Sequence, residues 1–256
     1  MLKNLDLEDI LRVPGIVGPN VLLCETHPVE RHRRQPAQIG AQQILGRAVN
    51  DVRMSYQIIN TTRGAEGGAP GATRQALDSL GELRMLRGDL DEAKGYLDRA
   101  VELAKQHANK WYEGQALRTL SKCYIAMGQT SNALASGKSA LEIAKNITDR
   151  NAICESQLIV AEASLALGDL ETCSANLEEV AEQITDSTAD LLLMGEAQRL
   201  HGLEEMSRND PELAAQHFGR SVSIFDLLGD RYRAARAHYE LGKAYALSQS
   251  DRAAEQ

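Results

Sequence analysis

Residues 77–97 read LDSLGELRMLRGDLDEAKGYL. Apolar or small residues stand at Leu77, Leu80, Gly81, Leu83, Leu86, Ala93 and Leu97, at the three- and four-residue steps of one helix face rather than the alternation of a strand. Arg87-Gly88-Asp89 interrupts the pattern with a Gly suited to ending one helix and an Asp able to cap the next. The stretch is therefore a helical hairpin, and the rest of the chain is built from versions of it.

Aligning the turns places Gly88, Gly128, Gly168, Asn209 and Gln249 in register, at steps of 40, 40, 41 and 40. Seven residues before each turn stand Gly81, Ser121, Ala161, Gly202 and Gly242; five after it stand Ala93, Ala133, Cys173, Ala214 and Ala254. Twelve before it are Ala76, Ala116, Ser156, Ala197 and Ala237. These columns stay small in every copy while neighbouring ones vary. Two helices of a hairpin nest closely only where neither carries a bulky side chain at the crossing, so the columns mark the packed faces of a repeat array.

The repeats resemble the tetratricopeptide repeat, whose succession of a large apolar residue, Leu-Gly, an aromatic, Ala and a large apolar residue is matched by Leu77, Leu80-Gly81, Ala93 and Leu97. It returns as Leu117, Leu120-Ser121, Tyr124 and Ala133, and as Leu241-Gly242, Tyr245 and Ala254. Arg84, Ser164 and Glu205 stand where the family has an aromatic, His201 where it has Leu, and no Pro closes a repeat. The long period is similar to a variant whose second helix runs on, as in Ala93–His107, to an Asn or Asp such as Asn109, Asp149 or Asp230. That variant looks most like the helical sensor regions of large bacterial regulators, in which repeats flank ATPase, cyclase, kinase or DNA-binding domains. The resemblance implies an all-α fold, a right-handed superhelix (an α-solenoid) of about 4.5 hairpins. Its repeats would cover 73–112, 113–152, 153–193, 194–233 and a partial 234–256. The partial repeat leaves an apolar face uncapped, so the chain is expected either to be part of a longer protein or to assemble through that edge.

Ahead of the repeats, residues 1–35 show no regular pattern, 36–63 read as an N-terminal capping helix, and 64–72 as a Gly-rich linker. The helix carries a stripe of Ala41, Leu45, Ala48, Val52, Tyr56 and Ile59, which must pack on the first repeat or on a second copy through residues 36–60. Within 1–35, Cys24, His27 and His32 lack both zinc-site spacing and a fourth ligand, so no metal or other cofactor is expected. The Gly-rich linker has no Gly-Lys-Ser/Thr and is not a phosphate loop. Cys123, Cys154 and Cys173 fall at packed helix positions and are expected to be buried free thiols.

Charge narrows the partners. Residues 1–70 hold 8 Lys/Arg against 7 Asp/Glu, and the remainder 20 against 29. An acidic repeat region is a poor match for the phosphate backbone, so no nucleic acid is expected. No apolar run approaches the roughly 18 residues of a membrane span, and the acids of MLKNLDLEDILRVPG do not suit a signal peptide. A cytoplasmic location follows as the expectation.

In a helical solenoid of this kind the first helix of each hairpin lines a concave groove. The predicted partner-binding residues on that face are Asp78, Glu82, Gln115, Arg118, Lys122, Glu155, Glu162, Arg199, Tyr239 and Lys243. Gln75, Met85, Leu158, Glu196, Leu203, Met206 and Arg236 share the same register. Alternating acids and bases with apolar steps suit an extended peptide or partner helix of mixed charge. Family members that hold the acidic C-terminus of chaperones use a cationic clamp here; Asp78 and Glu82 would repel a carboxylate, which argues against that role. His107, His201, His217 and His238 are scattered among repeats with no convergent nucleophile, so the chain is expected not to be an enzyme. The expected function is a protein-interaction scaffold, or alternatively a ligand- or peptide-sensing region of a larger signalling or transcription-regulating protein. Trp111 and Tyr112 are read as packing between the first two repeats.

Overall fold

The computed structural model describes residues 70–184 and 190–254, all within one compact unit spanning 51–256. The irregular segment 1–35, the helix 36–63, the linker up to 69, the 36–60 dimer stripe and the Cys24/His27/His32 cluster lie outside the described residues. Within them the structure is all helical, with nine helices and no strand. They are α1 (Pro70–Arg87), α2 (Leu90–Gln106), α3 (Lys110–Ala126), α4 (Thr130–Asn146), α5 (Arg150–Ala166), α6 (Leu170–Gln183), α7 (Leu191–Ser207), α8 (Pro211–Leu228) and α9 (Arg231–Ala254). Four hairpins, α1/α2 to α7/α8, are followed by the first helix of a fifth. This is an α-solenoid, as the repeats predict. Pro70-Gly71, assigned to the linker by composition, instead opens α1, where a proline's missing N–H goes unnoticed.

The 40-residue turn column has one backbone cause. Gly88, Gly128, Gly168 and Asn209 all have positive φ, from +62° to +84°, the left-handed conformation that ends the first helix of each hairpin. The sixth-to-first hydrogen bond follows, as in Asp89 N to Arg84 O at 2.9 Å. Gln249 does not join them. α9 runs unbroken through it to Ala254, so the fifth turn expected there is absent. Gln has no particular freedom to turn left-handed, and the helix simply continues.

Caps start the helices. The carboxylates of Asp149, Asp169, Asp210 and Asp230 accept from the backbone N–H three residues on at 2.9–3.0 Å, and the Asn109 side chain does so at 3.1 Å. Asp89, Gln129 and Asp190 make no such cap bond; the Asp89 carboxylate turns to Arg84 at 3.3 Å and Arg87 at 3.6 Å, and that of Asp190 to Arg150 at 3.0 Å. In both cases a charge-assisted bond to guanidinium replaces the bond to a backbone amide.

The small columns are the packing surface. Ala93, Ala133, Cys173 and Ala214 are fully buried, and a Cβ added to Gly81 would sit 2.5 Å from Leu97 Cγ. Gly202 meets the buried Phe218 ring in the same way at 2.6 Å. Core clusters therefore run along the stack rather than around a centre, one across α1–α4 and another across α5–α7. Cys123, Cys154 and Cys173 are buried free thiols within it. Trp111 is half-exposed; its indole N–H donates to Asp149 at 3.3 Å, reaching the third repeat, while its ring meets Tyr112 edge-on. The Arg74 guanidinium of α1 lies 4.8 Å over the Tyr112 ring, so the pair ties the second repeat to the first, as expected, and to the third as well.

Candidate functional site

The first helices α1, α3, α5, α7 and α9 each contact the next, forming one continuous face. Across it runs a cavity of about 570 Å³, passing diagonally from the last turns of α1 and α3, over the middle of α5, to the first turns of α7 and α9. Its apolar lining includes Met85, Leu86, Ile125, Leu158, Leu192 and Tyr232. Leu86 and Tyr232 are 55% and 62% exposed, unusual for such side chains unless something covers them.

Among these apolar steps lies a chain of ion pairs. Glu162 on α5 receives Arg199 of α7 at 3.0 Å and also Arg236 of α9. Arg199 further pairs with Glu196 at 2.9 Å; Glu196 receives Arg233 at 2.8 Å, and Arg233 returns to Asp230. The Arg236–Glu162 pair reaches from the first helix of the fifth repeat to that of the third, over α7. Burial works against the charge on Glu162, but the guanidiniums of Arg199 and Arg236 overcome it and hold its carboxyl down to about 2. Glu196 is likewise lowered against its burial by Arg199, and Arg199 itself, 1% exposed, is raised by its two carboxylates despite desolvation. Such a network is stable only as a whole, because removing one member strands a buried charge.

Of the residues predicted on this face, Glu82, Lys122, Glu155, Glu162 and Arg199 line the cavity together. Arg118 stands beside it, paired with Glu155 at 2.9 Å. Asp78 is not on an open surface: it is 7% exposed and accepts from Gln115 Nε2 at 2.9 Å, joining α1 to α3. Burial raises the Asp78 carboxyl, with the Gln115 bond opposing. Tyr239 and Lys243 lie further along α9, outside the cavity, with the ammonium 5.5 Å above the ring. Leu203 and Met206 pack on the core around Phe218. Glu82 and Lys122 differ from the other charges of the cavity in making no ion pair among the described residues. Water reaches the Glu82 carboxylate, yet the curved wall surrounds it; that partial burial and then the nearby Asp78 raise it above the ordinary range.

Sequence reasoning missed Leu86, Ile125, Leu192, Tyr232 and Arg233. The signal was an exposed apolar residue in the last turn before a hairpin glycine, as at Leu86, but it points into a groove only because the stack twists. No group of three or more His, Cys, Asp or Glu is placed to hold a metal among the described residues, and none of the described helices is long and apolar enough to cross a membrane.

The sequence model of the tetratricopeptide repeat matches residues 73–146. Those residues are tetratricopeptide repeats. The later hairpins continue the same architecture in α5–α9. No curated protein matches the chain in sequence. Among solved structures, BtubC (BKLC) from P. vanneervenii superposes with a TM-score of 0.58 at 15% identity, over 81% of this chain and 85% of that one. A Rap protein complexed with Competence and Sporulation Factor gives 0.64 at 16% identity, over 77% of this chain and 55% of its own. NprR in complex with its cognate peptide NprX gives 0.55 at 17%, over 78% and 61%. At these identities the likeness is one of fold, and the chain spans little more than half the length of the last two.

Proposed function

We propose that the tetratricopeptide array is a non-catalytic scaffold that binds an extended peptide or partner helix in its concave groove. The observation that carries this reading is the pair Glu82 and Lys122, unpaired charges of opposite sign among exposed apolar side chains in a cavity of about 570 Å³. A peptide with a basic group for Glu82, an acid for Lys122 and an apolar side chain against Leu86, Ile125 and Tyr232 would satisfy all of them. The NprR structure with its cognate peptide, on a similar fold, supports the same use. Buried thiols, with Cys173 pushed up to about 12 chiefly by desolvation, fit a scaffold better than an enzyme and suit a reducing, cytoplasmic compartment. The acidic repeats favour a protein over nucleic acid.

A second reading, a sensing region of a larger regulator, is favoured by the Arg236–Glu162 pair. A ligand that displaced it would release the fifth repeat from the third and alter the superhelical pitch. Selection of a displayed random-peptide library on the intact chain and on Glu82→Lys/Lys122→Glu tests the groove. The proposal expects enriched peptides that bind the intact chain and lose at least tenfold affinity to the variant, both proteins melting alike. Peptides bound equally by both would sink it. Small-angle scattering with the selected peptide then separates a fixed scaffold from a sensor.

A further inference from the structure

The third hairpin fills a space between its helices that the second leaves open. On α5 the fully buried Gln157 donates to Glu179 of α6 and accepts from Gln183 Nε2 at 3.2 Å, a polar cluster that occupies the space between those helices. Forty residues earlier the same three positions are Leu117, Ser139 and Ile143. These side chains cannot make that cluster, and the Ser139 hydroxyl donates back to Ala135 O at 3.0 Å instead. A cavity of about 350 Å³ remains between the end of α2, the start of α3 and the last turns of α4. It shares no lining residue with the groove. Small-molecule sites occupy about 300–1,000 Å³, and this one falls within that range.

Leu117, Ile143 and Ile147 give the cavity an apolar wall, and charges of both signs stand around it. Glu113, only 5% exposed, takes Lys110 Nζ on Oε2 at 2.7 Å. Its Oε1 accepts no bond and is not sealed from solvent, so it opens toward the cavity that the residue lines. A carboxylate withdrawn this far from bulk water and given one partner still has acceptor capacity to satisfy. Glu142 on α4 and Lys105 at the end of α2 make no ion pair among the described residues. Two carboxylates and two ammoniums therefore border one apolar wall. We propose that this cavity is a second binding site, for a free α-amino acid with an apolar side chain. The ligand's ammonium meets Glu113 Oε1 and Glu142, its carboxylate meets Lys105 and Lys110, and its side chain covers the wall. A zwitterion answers both signs at once, whereas an anion or a cation alone sets one pair of these charges against its own kind.

The test is equilibrium dialysis of the full chain with labelled leucine and phenylalanine, beside leucinamide, which lacks the carboxylate, and N-acetylleucine, which lacks the ammonium. The expected result is saturable binding of both amino acids with Kd at or below about 1 mM, and at least tenfold weaker binding of the two derivatives. Lys105→Ala and Glu142→Gln, both at exposed positions, keep the thermal melt and each weaken leucine at least fivefold. Lys145→Ala, the counterpart of Lys105 one repeat on, binds as the natural chain does. No groove residue is altered, so the outcome does not depend on whether a peptide binds there. Absence of saturable binding overturns the proposal. So do derivatives that bind as well as leucine, or leucine binding that neither cavity variant weakens.

Discussion

Replacing Glu162 by Gln removes the carboxylate that joins α5, α7 and α9 while nearly preserving its shape. At neutral pH two guanidiniums lean on it, Arg199 at 3.0 Å and Arg236. The fall of its pKa from the ordinary 4.5 to about 2, at about 1.4 kcal/mol for each pH unit, is worth roughly 3 kcal/mol. Breaking a buried pair by removing one partner costs about 3–5 kcal/mol, since Arg199 stays buried with Glu196 alone. The two routes agree, and a loss of about 3 kcal/mol is expected at pH 7. Because the folded pKa lies below the unfolded one, this stability is fully present above 4.5 and is lost as the pH falls from there toward about 2. Urea unfolding at pH 7, 5 and 3 should therefore show natural and substituted chains far apart at pH 7 and converging in acid. Hydrogen exchange should localise the loss to α5, α7 and α9, since a repeat array need not unfold as one unit. Arg236→Gln combined with Glu162→Gln should cost less than the two singly. A loss below about 1 kcal/mol at pH 7, or a gap that persists in acid, would refute the reasoning.

Glycines at packed and open positions should respond in opposite directions. Gly202→Ala pushes a methyl within 2.8 Å of three atoms of the buried Phe218 ring and should destabilise by roughly 1–2 kcal/mol, whereas Gly95→Ala, with nothing within 4 Å, should stabilise by about 0.5–1 kcal/mol. Thermal melts of both decide it, and equal signs would contradict the packing. Ser221→Ala leaves the buried Gly195 carbonyl, now bonded by Ser221 Oγ at 2.8 Å, without that donor; a loss of about 1–2 kcal/mol in urea is expected. Cys173, buried and held as a thiol, should resist iodoacetamide at pH 8 until denaturant is added. Rapid labelling of the folded chain would show that the hairpin it packs in opens readily.

The repeats were legible because packing acts on each copy alike. Ala93, Ala133, Cys173 and Ala214 must all be small for the same local reason, so the sequence prints the constraint four times. The left-handed turns at Gly88, Gly128 and Gly168 were readable for the same reason. Gln249 was misread because register was followed where turn chemistry was absent. At the site, register placed Glu82, Lys122 and Glu162 on one face, yet it also placed Asp78 there, which the neighbouring helix buries.

The sequence by itself determined the hairpin, its period, its turns and the face each first helix turns inward, because these depend on residues within about forty positions of one another. Only the tertiary structure decided which inward charges remain free. That depends on how far successive repeats rotate, which brings Arg236 over α7 to Glu162 and leaves Glu82 and Lys122 without partners. Small rotations accumulate along a stack, so contacts between non-adjacent repeats are a property of the whole array and of no single copy.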